Sequence, residues 1–508
     1  MQWIYNALDW VDSNILWGIP MIILILVSGI FLSVRSKFLQ VRKFGACMKH
    51  TVGGTVKQMK GGQKVKDKNT ISAFEAFSTA ISGTVGTGNI VGVTSAILLG
   101  GPGAVFWMWV SAFFGCFTKF AEITLGLFYR KKDKSGEYIG GPMQYIEHGT
   151  KQKWLAVLFC IFTMFAAVGM GSVQSNAIQN AWQNSVFSIP TWVTALIVVG
   201  FAALIIIGGV KRIGKVTSMI VPFMIVLFII LALILIFANI SAIPAAFASI
   251  FTSAFTPKSM LSGFAGYGIT QAMRYGFARG IFSNEAGLGS APIAHATART
   301  KEPVAQGLWG IFEVFIDTFI VCTLTALLVL TSGIDGYGLV VAKVKGAEMI
   351  VVMGAFEGVL GAIGTICFSI ILPLFAFSTI LAWALYGAKA SQYLFKNHQK
   401  GAKLGFNIIY LVLIVGVGLL TFFLGDNLGS EFVWLLSDMG NALMAIPNLV
   451  ALVMLSGLLI KICKNYFDRK SGKKIKPLIS AYDDDGNTLY NFKSKPKDEQ
   501  ADKAVIEE

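Results

Sequence analysis

Two short stretches carry most of the chemistry in this chain: ISGTVGTGNIVG at residues 81–92 and FSNEAGLGS at residues 282–290. Each places glycines, hydroxyls and an asparagine inside a run that is otherwise apolar. Glycine in a helix costs about 1 kcal/mol relative to alanine, so both stretches are expected to interrupt their helices. An interruption frees peptide groups. Carbonyls at the end of one half helix favour a cation, and N–H groups at the start of the next favour a carboxylate. One break can therefore hold both the carboxylate of a zwitterion and Na+.

In the first break, Thr84, Thr87, Gly88 and Asn89 supply hydroxyls, amides and carbonyls. Amides near Gly88 and Asn89 are expected to meet a carboxylate, and carbonyls from Gly83 to Gly86 a sodium ion. In the second, Ser283 and Asn284 offer oxygens, while Phe282 and Phe277 are candidates to close a small side-chain pocket. Glu285 is expected to pair with Arg279 or Arg274 and hold the break in shape; a direct role in proton coupling is the sharper alternative. Close helix packing competes as an explanation for the glycines, since Gly88 and Gly92 have small-xxx-small spacing. A nucleotide loop does not: GTGNIVG lacks the G-x-G-x-x-G gap and no strand precedes it.

The elements that must position these residues are long and apolar. The 508 residues are 55% hydrophobic and only 14% charged, where a soluble chain carries roughly a quarter charged. Eleven hydrophobic blocks fall near 15–34, 71–99, 104–129, 154–180, 190–209, 216–239, 262–294, 304–330, 357–386, 405–424 and 432–460. They are long enough to cross a bilayer as helices and too continuous for an outer-membrane barrel. If they cross alternately, 36 of the 42 Lys and Arg fall on one side. Lys258, Lys343 and Lys345 fall on the other, with acids such as Asp335 and Asp426. Positive charge stays cytoplasmic, which predicts an external N-terminus and a cytoplasmic C-terminus. The net charge of +15 thus marks membrane orientation, not nucleic-acid binding. MQWIYNALDWVDSN at the start lacks the basic region and cleavage site of a signal peptide.

Setting the first block aside as accessory leaves ten, or five plus five. An odd number of crossings per half inverts one half against the other, and the two interrupted blocks then open the two halves, the best sequence pointer to a transport site. The expected fold is an all-α membrane protein of eleven transmembrane helices: one accessory helix plus a five-plus-five inverted repeat with two discontinuous helices. Residues 1–70 hold the N-terminus, accessory helix and a basic loop; 71–240 and 241–460 hold the repeats; 461–508 read as a flexible cytoplasmic tail. The six cysteines show no zinc or disulfide spacing. His50, His148, His295 and His398 read as solvated, and the roles of Glu122, Glu313 and Asp317 stay open.

GGPGAVFWMWVSAFFG (100–115), with GTGNIVGV before it and RGIFSNEAGLGSAPIAHA (279–296) after, resembles the signature runs of the alanine/glycine:cation symporters, also called sodium:alanine symporters. The resemblance extends over about 15–460. It implies the inverted-repeat fold of leucine-type sodium symporters and uptake of alanine or glycine, or of glutamine, with Na+ or H+, through the plasma membrane of a prokaryotic cell. No nucleic acid, enzyme chemistry or obligate protein partner is implied. In that fold class Ser378 and Thr379 of FAFSTILAW would give two hydroxyls to a sodium held by the first broken helix. Gln174 of GMGSVQSN would line the pocket, with a plain interhelical hydrogen bond as its alternative. Trp383, four residues after Thr379 and on the same face, would wall it, unless it is an interfacial tryptophan. A proton-coupled permease of the same fold is the nearest rival; an ion channel or receptor is a more distant one.

Overall fold

In a bilayer, backbone polar groups must be satisfied within the segment itself, and helices dominate the chain accordingly. The computed structural model describes residues 2–61, 70–132, 136–255, 268–334, 346–424 and 426–482. Lys258, Lys343, Lys345 and Asp335, used above for orientation, lie outside the described residues, as do residues 483–508.

In chain order the helices are α1 (Gln2–Val11), α2 (Ile19–Arg35), α3 (Phe44–Gly61), α4 (Ala73–Thr84), α5 (Val91–Gly100), α6 (Gly103–Phe128), α7 (Lys153–Gln183), α8 (Thr191–Ile206), α9 (Gly209–Ala238) and α10 (Ile243–Phe255). Then follow α11 (Gly268–Asn284), α12 (Ala291–His295), α13 (Pro303–Thr331), α14 (Ala347–Leu360), α15 (Ala362–Leu394), α16 (Gln399–Leu424) and α17 (Asp426–Lys470). A two-stranded hairpin, β1 (Lys131–Lys132) and β2 (Tyr138–Ile139), follows α6. Among the described residues seven helices are long and apolar enough to cross a membrane, and the bent pair α4 and α5 makes an eighth. The class is all-α, as expected.

Three differences from the sequence reading have local causes. The basic segment 34–70 contains α3, which is held by packing on α13; buried Cys47 anchors it by donating its Sγ–H to Leu308 O at 3.1 Å. Helix α10 and most of α14, short helices at Ile243–Phe255 and Ala347–Leu360, fall between the expected blocks. The last helix runs past the expected boundary at 461 to Lys470, and residues 471–482 then fold back onto the body. Ala481 N donates to Phe128 O at 2.9 Å, and Ala481 is fully buried. These backbone bonds order a stretch whose composition reads as flexible.

Helix α9 exposes Phe223, Ile230 and Phe237, α8 exposes Phe201 and Leu204, and α16 exposes Ile408, Ile409 and Val412. These faces suit lipid. Inside, α6 packs on α11 and α13, while α7 packs on α15 and α17. Lipid tails are as apolar as side chains, so such contacts depend on close packing and polar bonds. The α7–α17 pair shows this. A Cβ on Gly169 would lie 2.8 Å from Ser437 Cα, and one on Gly440 would lie 2.7 Å from Ala166 Cα. Gly440→Leu should therefore force the helices apart and destabilise by about 1–3 kcal/mol, read as a lower melting temperature of the purified protein. Gly200→Leu on α8, where a Cβ meets nothing within 4 Å, should leave it unchanged.

Candidate functional site

Helix α4 begins on a reciprocal cap: Ser72 Oγ accepts from Glu75 N at 3.1 Å, and Ser72 N donates to Glu75 Oε2 at 2.7 Å. It stops at Thr84. Gly86 is extended, Thr87–Asn89 form one tight turn, and α5 leaves at 56°. The expected interruption is present. Its peptide groups are met from three sides. Gly86 N donates to Asn89 Oδ1 at 2.9 Å, and Thr87 N donates to Gln174 Oε1 of α7 at 3.1 Å. Thr379 of α15 donates Oγ1 to Ser82 O at 2.8 Å. A Cβ on Gly86 would lie 2.5 Å from Thr379 Oγ1 and 3.3 Å from Gln174 Oε1, so only glycine allows these groups to converge. Thr87 Oγ1 and Trp383 Nε1 are buried and make no hydrogen bond among the described residues. Trp383 packs edge-on to Tyr386, ring centroids 5.4 Å apart, and the Tyr386 hydroxyl would sit 2.7 Å from a Cβ on Gly83.

The second interruption runs from Glu285 to Ser290, between α11 and α12. Glu285, Gly287 and Gly289 have φ of 54°, 100° and 80°, the left-handed region that ends a helix. The first break touches the end of α11, next to the second: a Cβ on Gly88 would lie 3.0 Å from Phe282 Cδ1. One carboxylate also joins the first break to this end of α11. Asp317 of α13 accepts from Asn89 Nδ2 at 2.7 Å and from Ser283 Oγ at 3.0 Å. Thr318 Oγ1 donates to it at 2.8 Å. Asp317 is fully buried and lies in a π-helical stretch, Phe315–Cys322, a distortion frequent at functional sites.

Several candidates face elsewhere. The Thr84 hydroxyl bonds back to Ile81 O at 3.0 Å. Ser378 Oγ donates to Phe375 O at 2.9 Å and reaches Met224 Sδ of α9 at 3.5 Å, so it points away from Gly86 while Thr379 points toward it. Phe277 packs against Trp107 at 6.0 Å, apart from Phe282, which packs against Trp434 at 5.5 Å. The Asn284 side chain is used internally, donating to Thr318 Oγ1 at 3.1 Å and accepting from Ala286 N at 3.0 Å.

Two expectations are corrected. Glu285 pairs with neither Arg279 nor Arg274. Arg279 is held by Asp438 of α17 at 3.2 Å, and Glu285 instead accepts from Ser290 Oγ, because the left-handed turn at Glu285 carries its side chain away from α11. His295 is not solvated. It is fully buried, with Nε2 3.3 Å from Glu313 Oε2 and Nδ1 2.8 Å from Gln306 Nε2. Sequence reasoning also passed over Lys119 of α6, a lone ammonium in the apolar run SAFFGCFTKFAEITLGLF. Its Nζ donates to Asn284 O at 2.7 Å and lies 2.9 Å from Glu313 Oε1. An ionisable residue in a membrane span is itself a functional signal.

Unwound backbone at the centre of an apolar helix bundle, met by buried polar side chains from three other helices, defines a multi-pass membrane transporter. The chain matches the sodium:alanine symporter family over residues 1–480, and it belongs to that family. It is 40% identical over 463 residues to the sodium/alanine symporter AgcS of Methanococcus maripaludis, covering 89% of this chain and 95% of that protein. It is 43% identical over 470 residues to an uncharacterized transporter of Haemophilus influenzae, covering 92% and 97%. Its fold is like that of the Eremococcus coleocola manganese transporter, with TM-score 0.51 and 14% identity over 80% of this chain and 88% of that one. The chain is a transporter and not an enzyme.

Small-xxx-small packing does not account for the first break, since a Cβ on Gly92 would meet nothing within 4 Å. Gly86→Ala is expected to weaken binding of the transported solute by about tenfold or more, because displacing Thr379 or Gln174 costs at least one buried hydrogen bond. Gly92→Ala should leave it unchanged. Isothermal titration of the purified variants checks both.

Proposed function

We propose that the chain imports a small neutral amino acid, alanine or glycine first and glutamine as the larger alternative, together with Na+ by alternating access. One observation carries the reading. The first break gathers displaceable neutral partners and the buried, unbonded Thr87 Oγ1 beside a carboxylate, Asp317, that ties it to the end of α11. The solute carboxylate is met by amides at Thr87, Gly88 and Asn89, its ammonium or side-chain amide by Gln174, and its side chain by Phe282 and Trp383. Carbonyls from Gly83 to Gly86 and the Thr379 hydroxyl hold the cation. Ser378 joins them only after rotation of its side chain. Ser283, drawn in by Asp317, links solute binding to movement of the second break. Sharing of one unwound segment by both ligands is the coupling: each neutralises charge that the other finds there.

The five-plus-five repeat with an accessory helix, the external N-terminus and the cytoplasmic C-terminus belong to this proposal. They are supported by the matched interruptions and by the one-sided distribution of Lys and Arg. At about 100 mV, each Na+ entering contributes roughly 2.3 kcal/mol from the potential alone, enough with its concentration gradient to accumulate solute well over tenfold. A proton is the alternative coupling ion, and Asp317 is the group on which it would ride.

Proteoliposome uptake separates the two. Labelled alanine should accumulate with an inward Na+ gradient and not with a proton gradient alone. Thr379→Val should raise the Na+ concentration for half-maximal uptake by about tenfold, as loss of one cation ligand implies. Accumulation driven by protons alone and lost in Asp317→Asn would establish proton coupling in its place.

A further inference from the structure

The two breaks are satisfied by different kinds of partner. At the first, Gly86 N and Thr87 N are held by the neutral carboxamides of Asn89 and Gln174. Among the described residues no charged side chain hydrogen-bonds a peptide group between Val85 and Gly88. At the second, neutral carboxamides also take part, Asn284 Oδ1 accepting from Ala286 N at 3.0 Å and Asn448 Nδ2 donating to Gly287 O at 2.8 Å, but two formal charges from one helix are added to them. Lys119 Nζ donates to Asn284 O at 2.7 Å, where the carbonyl end of α11 concentrates negative charge. Glu122 Oε1 accepts from Gly287 N at 2.9 Å and Gly289 N at 3.2 Å, and also from Asn448 Nδ2 at 2.6 Å. Lys119 and Glu122 are three residues apart on α6, hence on one face, and both are fully buried.

We propose that Lys119 and Glu122 are positioning residues that stand in, within the protein, for the ammonium and carboxylate of an amino acid at the second break. The backbone charge of that break is thereby neutralised permanently, and the charged ends of the cargo are bound by the first break. A carboxamide can be displaced by cargo at the cost of a neutral hydrogen bond. A buried charge pair bonded to backbone cannot, because its removal strands a charge. The second break is thus fastened to α6, and the first is left exchangeable. The ammonium is also matched by Glu313 Oε1 at 2.9 Å, so deletion of the lysine leaves Glu313 and Asn284 O facing each other as two ligands for a cation. Deletion of the glutamate leaves two N–H groups and the Asn448 amide facing a site for an anion. Only the uptake readout rests on the symport reading.

The test is ion rescue. Lys119→Ala should melt well below the wild type in choline chloride and regain most of the loss in NaCl or LiCl, a gain larger than the wild type shows. Glu122→Ala should regain stability in chloride but not in gluconate, where the wild type is indifferent. In proteoliposomes each variant should lose uptake by about tenfold or more without its ion, and Lys119→Ala should show a steeper dependence on Na+. Lys119→Arg, which keeps the charge, should gain nothing from added Na+. Equal loss in every salt would reduce the pair to packing and overturn the proposal, as would wild-type stability in both alanine variants. If Lys119→Ala yields no folded protein in any salt, the chloride response of Glu122→Ala decides alone. The melting measurements involve no transport, so failure of Na+-coupled uptake in the wild type would not affect them.

Discussion

A peptide group inside a bilayer has no water to bond with, and each one left alone costs several kcal/mol. The structure is organised around two places where this constraint is opened deliberately. At Gly86–Asn89 and Glu285–Ser290 the helical ladder is interrupted, and the freed groups must be met by side chains from other helices. Helices α6, α7, α15 and α17 supply them, through Lys119 and Glu122, Gln174, Thr379, and Asn448 respectively, while Asp317 of α13 joins the side chains of Asn89 and Ser283. The rest of the fold holds those four helices in register.

Scaffold packing explains how they stay in place while two neighbours are broken. Helices α7 and α17 meet through the small faces around Gly169 and Gly440, which lets backbones approach closely where no hydrophobic effect drives association. Helix α6 lies between α11 and α13 and is joined to both by the Lys119 contacts. Just past the end of α6, Arg130 donates to Ala296 O at 2.9 Å and Ala298 O at 2.6 Å, tying the chain beyond α12 to the segment that leaves α6. The second break is therefore bonded to α6 through Lys119 and Glu122, with Asn448 of α17 also bonded to Gly287 O. The first is held by α7 and α15 through neutral groups, and it is the side of the site where partners can be exchanged.

Much of this is legible in the residue order, because glycine and apolar length report directly on backbone and solvent. ISGTVGTGNIVG and FSNEAGLGS announce their interruptions, and the apolar blocks announce their environment. Gln174 and Thr379, picked out in the sequence as candidates, bond to peptide groups of the first break. What could not be read is direction. Adjacent residues Ser378 and Thr379 face α9 and Gly86 respectively, a difference of about 100° around the helix that composition does not encode. The partner of Glu285 was misassigned because sequence proximity to Arg279 takes no account of a left-handed turn. Lys119 and Asp317 lie far from the breaks in sequence, and only tertiary packing brings them together. His295 reads as solvated in the sequence because it ends a helix of only five residues that periodicity does not resolve.

The central claim is that backbone groups of the first break are completed by an amino acid and a cation together, each making room for the other's charge. Calorimetric titration of alanine into the purified protein at increasing NaCl, with choline chloride holding ionic strength constant, tests it most directly. Alanine affinity should rise by about tenfold or more, a coupling of roughly 1.4 kcal/mol, as Na+ replaces choline. Alanine affinity that stays the same at every Na+ concentration would contradict the account.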